Sequence, residues 1–194
     1  MVALRGAERE EAVLTATLEL LEEGGVAALT VDSVVARAHS SKATIYRRWS
    51  NKAELVRAAM DASDARYNAA VPNTGTLRGD FVAVLEAMRE RANAAHLAIV
   101  ADLVAASRHD PLLAEELDKH VRNEALSPFH APLVRAVERG ELPEDVDRTL
   151  IHDVAEALIM RQLQSGAPFD GAFVGRVVDK VLLKLLTPGG TAHA

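Results

Sequence analysis

The side chains able to do chemistry crowd into one short stretch, Lys42-Ala-Thr-Ile-Tyr-Arg-Arg-Trp-Ser-Asn-Lys52. It holds four cations (Lys42, Arg47, Arg48 and Lys52), the hydroxyls of Thr44 and Tyr46, and no acid. Donors gathered without acceptors suit an anionic partner such as phosphate. The whole chain argues the other way, since 194 residues carry a net charge of −6. The imbalance is local, however. From Arg37 to Arg57 six basic residues face one acid, Glu54, a net of +5, whereas residues 61–194 hold 14 basic and 20 acidic side chains.

No other chemistry is assembled. The seven His residues include no i, i+4 pair and no H-E-x-x-H, so no metal ligand set is expected. Without cysteine there is no disulfide framework and no thiolate nucleophile. There is no Gly-rich phosphate loop, no G-x-S-x-G and no defensible pair of catalytic carboxylates. The expectation is therefore no catalytic residue, no metal and no cofactor. A helical enzyme or small-molecule carrier, the competing class, would need such a constellation.

Spacing identifies the elements that must hold the donors. Val31, Val34, Val35 and Ala38 recur at i, i+3, i+4 and i+7, one apolar face of a helix. Thr30 suits its N-cap, and Asp32 its first turn, where the helix dipole favours an acid. After a turn at His39-Ser40, Ser41 can cap a second helix whose inward residues are Ile45 and Trp49. That leaves Lys42, Ala43, Thr44, Tyr46, Arg47 and Arg48 on its other faces. Such a pair is a helix-turn-helix, its second helix sized for a DNA major groove. An earlier helix, Glu8 to Glu22, covers both through Leu14, Thr17, Leu18 and Leu21, and Gly24-Gly25 ends it. Asn51-Lys52 opens a fourth, whose N-terminus suits a phosphate.

The run LTVDSVVARAHSSKATIYRRWSNKAELVRAAM resembles the N-terminal DNA-binding domain of the TetR family of bacterial transcriptional regulators. Its most specific part is SKATIYRRW followed by SNKAEL. The resemblance implies an all-α chain with a helix-turn-helix domain over residues 1–52 and an effector-binding and dimerisation domain over 53–194. It implies a homodimer on a palindromic double-stranded DNA operator, most often a repressor, released by a small-molecule effector. By the same resemblance Thr44, Tyr46 and Lys52 contact phosphate or base edges, and Lys42, Ala43 and Arg47 face the bases. Thr30 and Arg48 complete the expected DNA-binding set. The chain departs from the family at the turn, where Gly and a small apolar residue are usual and His39 and Ser40 stand. A positive φ at His39 carries a steric cost that Gly avoids, and Ser40 removes an apolar plug.

The remaining chain reads as five further helices, about nine in all. Phe81, Val84, Leu85, Met88 and Ala92 mark the fifth, and Leu97, Val100, Ala101 and Val104 the sixth. Asp110-Pro111 starts a seventh, expected to run with interruptions at Pro128 and Pro132 as far as Glu138. The last two span Asp147–Gln164 and Asp170–Leu186, before a tail. Met60, Phe81, Met88, Leu103, Phe129 and Met160 are the expected effector-lining residues, large or deformable apolar groups that suit a pocket. Asp102, Arg161 and Gln162 are polar points able either to orient a ligand or to sit on the outer face. Two stripes, Ile151, Val154 and Leu158, and Val174, Val178, Val181 and Leu182, are wide enough either for the core of the monomer or for a four-helix bundle across a twofold axis, and the resemblance favours the bundle as the dimer interface. No apolar run exceeds five residues, so no membrane span is expected. With no signal-peptide pattern at the start, the expected location is cytoplasmic.

Overall fold

Apolar spacing of period 3.6 is realised as helix throughout the computed structural model, which describes residues 6–68, 72–91 and 94–186, and the side chains of these outside 91–97. Val71, the side chains of Ala92 and Leu97, and the tail from Thr187 lie outside the described residues. The helices are α1 Gly6–Ala28, α2 Val31–Arg37, α3 Lys42–Tyr46, α4 Lys52–Asn68, α5 Leu77–Arg91, α6 Ala94–Ser107 and α7 Pro111–Val121. Then follow α8 His130–Glu138, α9 Arg148–Gln164 and α10 Gly171–Val177, which passes through a π turn, Val178–Leu182, into α11, Leu183–Leu186.

These pack as two compact units, one within 1–66 and 92–123, the other within 67–91 and 124–194. In the first, Val13, Leu21, Val34, Ile45, Trp49, Leu55 and Val56 share one core with Ile99 and Leu103 of α6 and Leu113 of α7. The packing boundary is therefore not at residue 52. Ile99 and Leu103 of α6 and Leu113 of α7 are part of the core of the three-helix head. In α1 the expected Thr17 and Leu21 are buried, but Val13 and Ala16 take the remaining inward positions, with Leu14 and Leu18 only partly buried. Thr17 meets the cost of burial locally, its hydroxyl donating to the Val13 carbonyl at 2.8 Å.

The second unit is built on Phe81, Val84, Leu85, Phe129, Leu133, Ile151, Ala155, Val174, Val178 and Leu182. The expected long seventh helix is instead two. α7 stops at Val121, a 3₁₀ turn occupies Glu124–Leu126, and α8 begins at His130. Pro132 falls in the first turn of α8, where its missing N–H has no intrahelical partner to lose. Asp80 is the buried charge of this unit. It accepts the Thr74 amide (2.7 Å) and hydroxyl (2.8 Å) and pairs with Arg135 at 3.2 Å. Burial pushes its pKa up, but the Thr74 and Arg135 donors outweigh burial and hold it below the usual aspartate value.

Candidate nucleic-acid interface

Side-chain caps set the two helices of the head. Thr30 Oγ1 accepts the Ser33 amide at 3.1 Å while Ser33 Oγ accepts the Thr30 amide at 3.1 Å, a capping box with Ser in the usual Glu position. α2 closes with the Ser40 amide donating to the Val35 carbonyl at 3.1 Å, around His39 at φ 48°. This is a Schellman closure whose left-handed position, normally Gly, is filled by His. The Ser40 hydroxyl oxygen is sealed from solvent and has no protein partner. Ser41 Oγ then caps α3, accepting the Thr44 amide at 3.2 Å.

Ile45 and Trp49 are buried, as the spacing requires, and anchor a recognition helix of five residues. Lys42, Ala43, Tyr46, Arg47 and Arg48 are exposed in consequence, and Thr44 is half-exposed with its hydroxyl 2.9 Å from Ser41 Oγ. At the start of α4, Asn51 Oδ1 accepts the Glu54 amide at 2.8 Å, and the Glu54 carboxylate accepts the Ser50 amide at 2.7 Å.

The charge on this face differs from the count along the chain. Lys42 Nζ lies 2.7 Å from Asp32 of α2, and Arg48 pairs with Glu10 of α1. Arg37 bridges Glu19 (3.1 Å) and Glu23 (2.7 Å), while Arg57 bridges Glu116 (2.6 Å) and Asp61 (2.5 Å). Hydrogen bonding to these acids holds the Lys42 and Arg37 cations above their ordinary pKa. Lys52 donates to the Val26 carbonyl at 3.1 Å. Arg47 alone among the six has no partner among the described residues. Sequence proximity could not reveal this, since Glu10 stands 38 positions from Arg48.

Behind the head, Asp102 of α6 accepts the Val26 amide at 2.6 Å. Its role is to meet a backbone donor at the α1–α2 corner, not to orient a ligand. Beside it, α7 is tied to α4 by charge: His120 Nδ1 is 2.6 Å from Asp61 and Nε2 is 3.4 Å from Asp64. Burial pulls the imidazole pKa down, but the two carboxylates outweigh it and raise it to about 9.

The expected effector-lining residues are divided between the two units. Met60 and Leu103 belong to the first unit, packed on or within its core. Phe81, Met88, Phe129 and Met160 belong to the second. Phe81 and Phe129 pack edge to face with centroids 5.5 Å apart. With Leu103 these rings are at most 1 % exposed and so border no cavity that admits water. The expected dimer stripes divide between core and surface. Ile151, Val174, Val178 and Leu182 are at most 1 % exposed because they fill the core of their own unit. Val154, Leu158 and Val181 remain half-exposed, and Leu150 and Leu185, one turn beyond, are exposed.

A helix-turn-helix with an outward second helix, carried on an otherwise helical chain, defines a DNA-binding regulator of the two-unit helical type. Residues 13–59 match the model for bacterial regulatory proteins of the tetR family, and residues 71–181 match the tetracyclin repressor-like C-terminal domain. The chain is 51 % identical over 189 residues to a DNA-binding transcriptional repressor TetR of Mycobacteroides abscessus, covering 97 % of this chain and 99 % of that one. It is 38 % identical to an uncharacterized HTH-type transcriptional regulator of Mycobacterium bovis, covering 92 % and 88 %. The crystal structure of the TetR family transcription regulator SCO0332 superposes with a TM-score of 0.72 at 29 % identity, covering 93 % of this chain and all of that one (100 %). The chain belongs to the TetR family of transcriptional regulators. Among its described residues no helix is long and apolar enough to cross a membrane.

Proposed function

We propose that this protein is a cytoplasmic, homodimeric transcriptional repressor that binds a palindromic operator and is released by a small-molecule effector. The observation that carries the DNA reading is the division of labour on α3: Ile45 and Trp49 anchor it, while Lys42, Ala43, Tyr46 and Arg47 are left outward. Each protomer sets one such helix in a major groove, so half-sites lie roughly 34–36 Å apart. Repression is supported by the relative named as a DNA-binding transcriptional repressor.

The dimer forms through the outer faces of the last helices. On α9 these are Leu150, Val154 and Leu158, at i, i+4 and i+8, and near the C-terminus Val181 and Leu185. The effector is apolar in part, and the half-buried Met88 and Met160 are the deformable side chains able to border it. Sequencing of genomic fragments retained by the purified protein tests the core of the reading. Enrichment of one palindrome is expected. Retention without a symmetric motif would reject the paired-head mode, and no retention would reject the operator reading itself.

A further inference from the structure

Two of the outward cations on the reading head are already engaged. Asp32, in the first turn of α2, reaches Lys42 at the first position of α3, and Glu10 of α1 reaches Arg48 just beyond it. Arg47 between them has no partner among the described residues. We propose that Asp32 and Glu10 are built-in competitors of DNA phosphate, each holding one DNA-facing cation that is handed over when the head docks. The proposal rests on the reading that Lys42 and Arg48 contact DNA.

Three features support the exchange. The acids sit at bonding distance, where a carboxylate presents the same charge-assisted acceptor as a phosphate oxygen. Both pairs are solvent-exposed, with side-chain accessibilities of 57 % and 71 % for Lys42 and Asp32 and 50 % and 31 % for Arg48 and Glu10. Exposed pairs of this kind are weak, so a phosphate can displace the acid, which a buried pair would resist. Finally, among the described residues Asp32 pairs with Lys42 alone and Arg47 with no acid, so the hand-over is specific to the two flanking cations.

The consequence concerns salt. A cation that meets DNA releases counterions from it, but the carboxylate left behind takes up a cation from solution. Net release, and with it the salt dependence, is then smaller than the number of phosphate contacts. The acids hold the head's affinity below the level its basic residues alone would reach, so Arg47 bears the largest share of committed attraction.

A double-mutant cycle on the full-length protein tests this, using a fragment selected by the protein and a scrambled duplex between about 50 and 200 mM salt. Asp32→Asn should raise affinity several-fold at the low end and steepen log K against log salt by up to about 0.9 per head. Lys42→Ala should weaken binding. In the Lys42→Ala background, Asp32→Asn should gain nothing. A gain of equal size on both backgrounds means general removal of negative charge and overturns the hand-over. So does an Asp32→Asn variant indistinguishable from wild type. Lys42→Ala binding as tightly as wild type overturns the Lys42 contact, and the proposal falls with it. Glu10→Gln with Arg48→Ala repeats the cycle independently, and a thermal melt of each variant confirms that the head is folded.

Discussion

The Asp102 carboxylate accepts the Val26 amide at 2.6 Å, although the two residues stand 76 positions apart. On the other side of the same residue the Val26 carbonyl accepts Lys52 Nζ. One corner of backbone thus links α6 to the start of α4. The corner exists because Gly25 adopts φ 69°, and a Cβ there would lie 2.6 Å from Asp102 Oδ2. Gly25→Ala should therefore destabilise twice over, through the left-handed backbone and through the clash. Asp102→Ala leaves a buried amide unmet, a loss of about 1–3 kcal/mol. The two are coupled: in an Asp102→Ala background, urea melts should show Gly25→Ala costing less than it does in wild type. Strict additivity would mean the clash is relieved elsewhere.

At the turn, φ 48° at His39 and the unpartnered Ser40 hydroxyl make the strain and the orphaned group of the head explicit. His39→Gly should stabilise, the steric relief exceeding the entropy that Gly adds to the unfolded chain. Ser40→Val should add more by removing a buried hydroxyl with no partner. Together they are worth on the order of 1 kcal/mol, or a few degrees in a melt. Operator affinity of His39→Gly decides whether His39 also touches DNA. A loss of affinity with no gain in melting temperature would replace strain with a contact by the ring.

His120 links stability to pH. Its folded pKa is raised to about 9 from an unfolded value of 6.5. The bound proton therefore contributes stability that is fully present below pH 6.5 and lost as pH rises through 9. The contribution is on the order of 3 kcal/mol for this largely buried ring. The stability difference between wild type and His120→Gln should shrink between pH 6.5 and 9. A difference flat across that range would show that Asp61 and Asp64 do not hold the proton.

Position on the last helices separates the core from the proposed interface. Val178 is fully buried in its own unit, so Val178→Glu should lower the melt sharply and abolish soluble protein, as an unpaired buried charge does. Leu150→Glu alters an exposed residue, and the melt of the isolated protomer should hardly move. Its readout is sedimentation: monomers and weakened operator binding are expected. An intact dimer would move the interface off the outer face of α9.

The sequence by itself determined what local spacing controls. Helical periods, the caps at Thr30, Ser41 and Asp110, the anchors Ile45 and Trp49, and the strained turn at His39 all follow from residues within a few positions of one another. Such contacts are written in the order of the chain, which is why the helix-turn-helix was legible without coordinates. Tertiary structure decided what depends on distant partners. Apolar periodicity marks the Val174, Val178 and Leu182 stripe as buried, but it does not say whether a twofold mate or α5 and α9 bury it. Likewise, a count of +5 along Arg37–Arg57 does not see Glu10, Glu19 and Glu23 arriving from α1. Asp102 looked like a polar point awaiting a ligand until folding brought the Val26 amide to it. Charge and polarity are properties of residues, whereas their satisfaction is a property of neighbours that only the folded chain supplies.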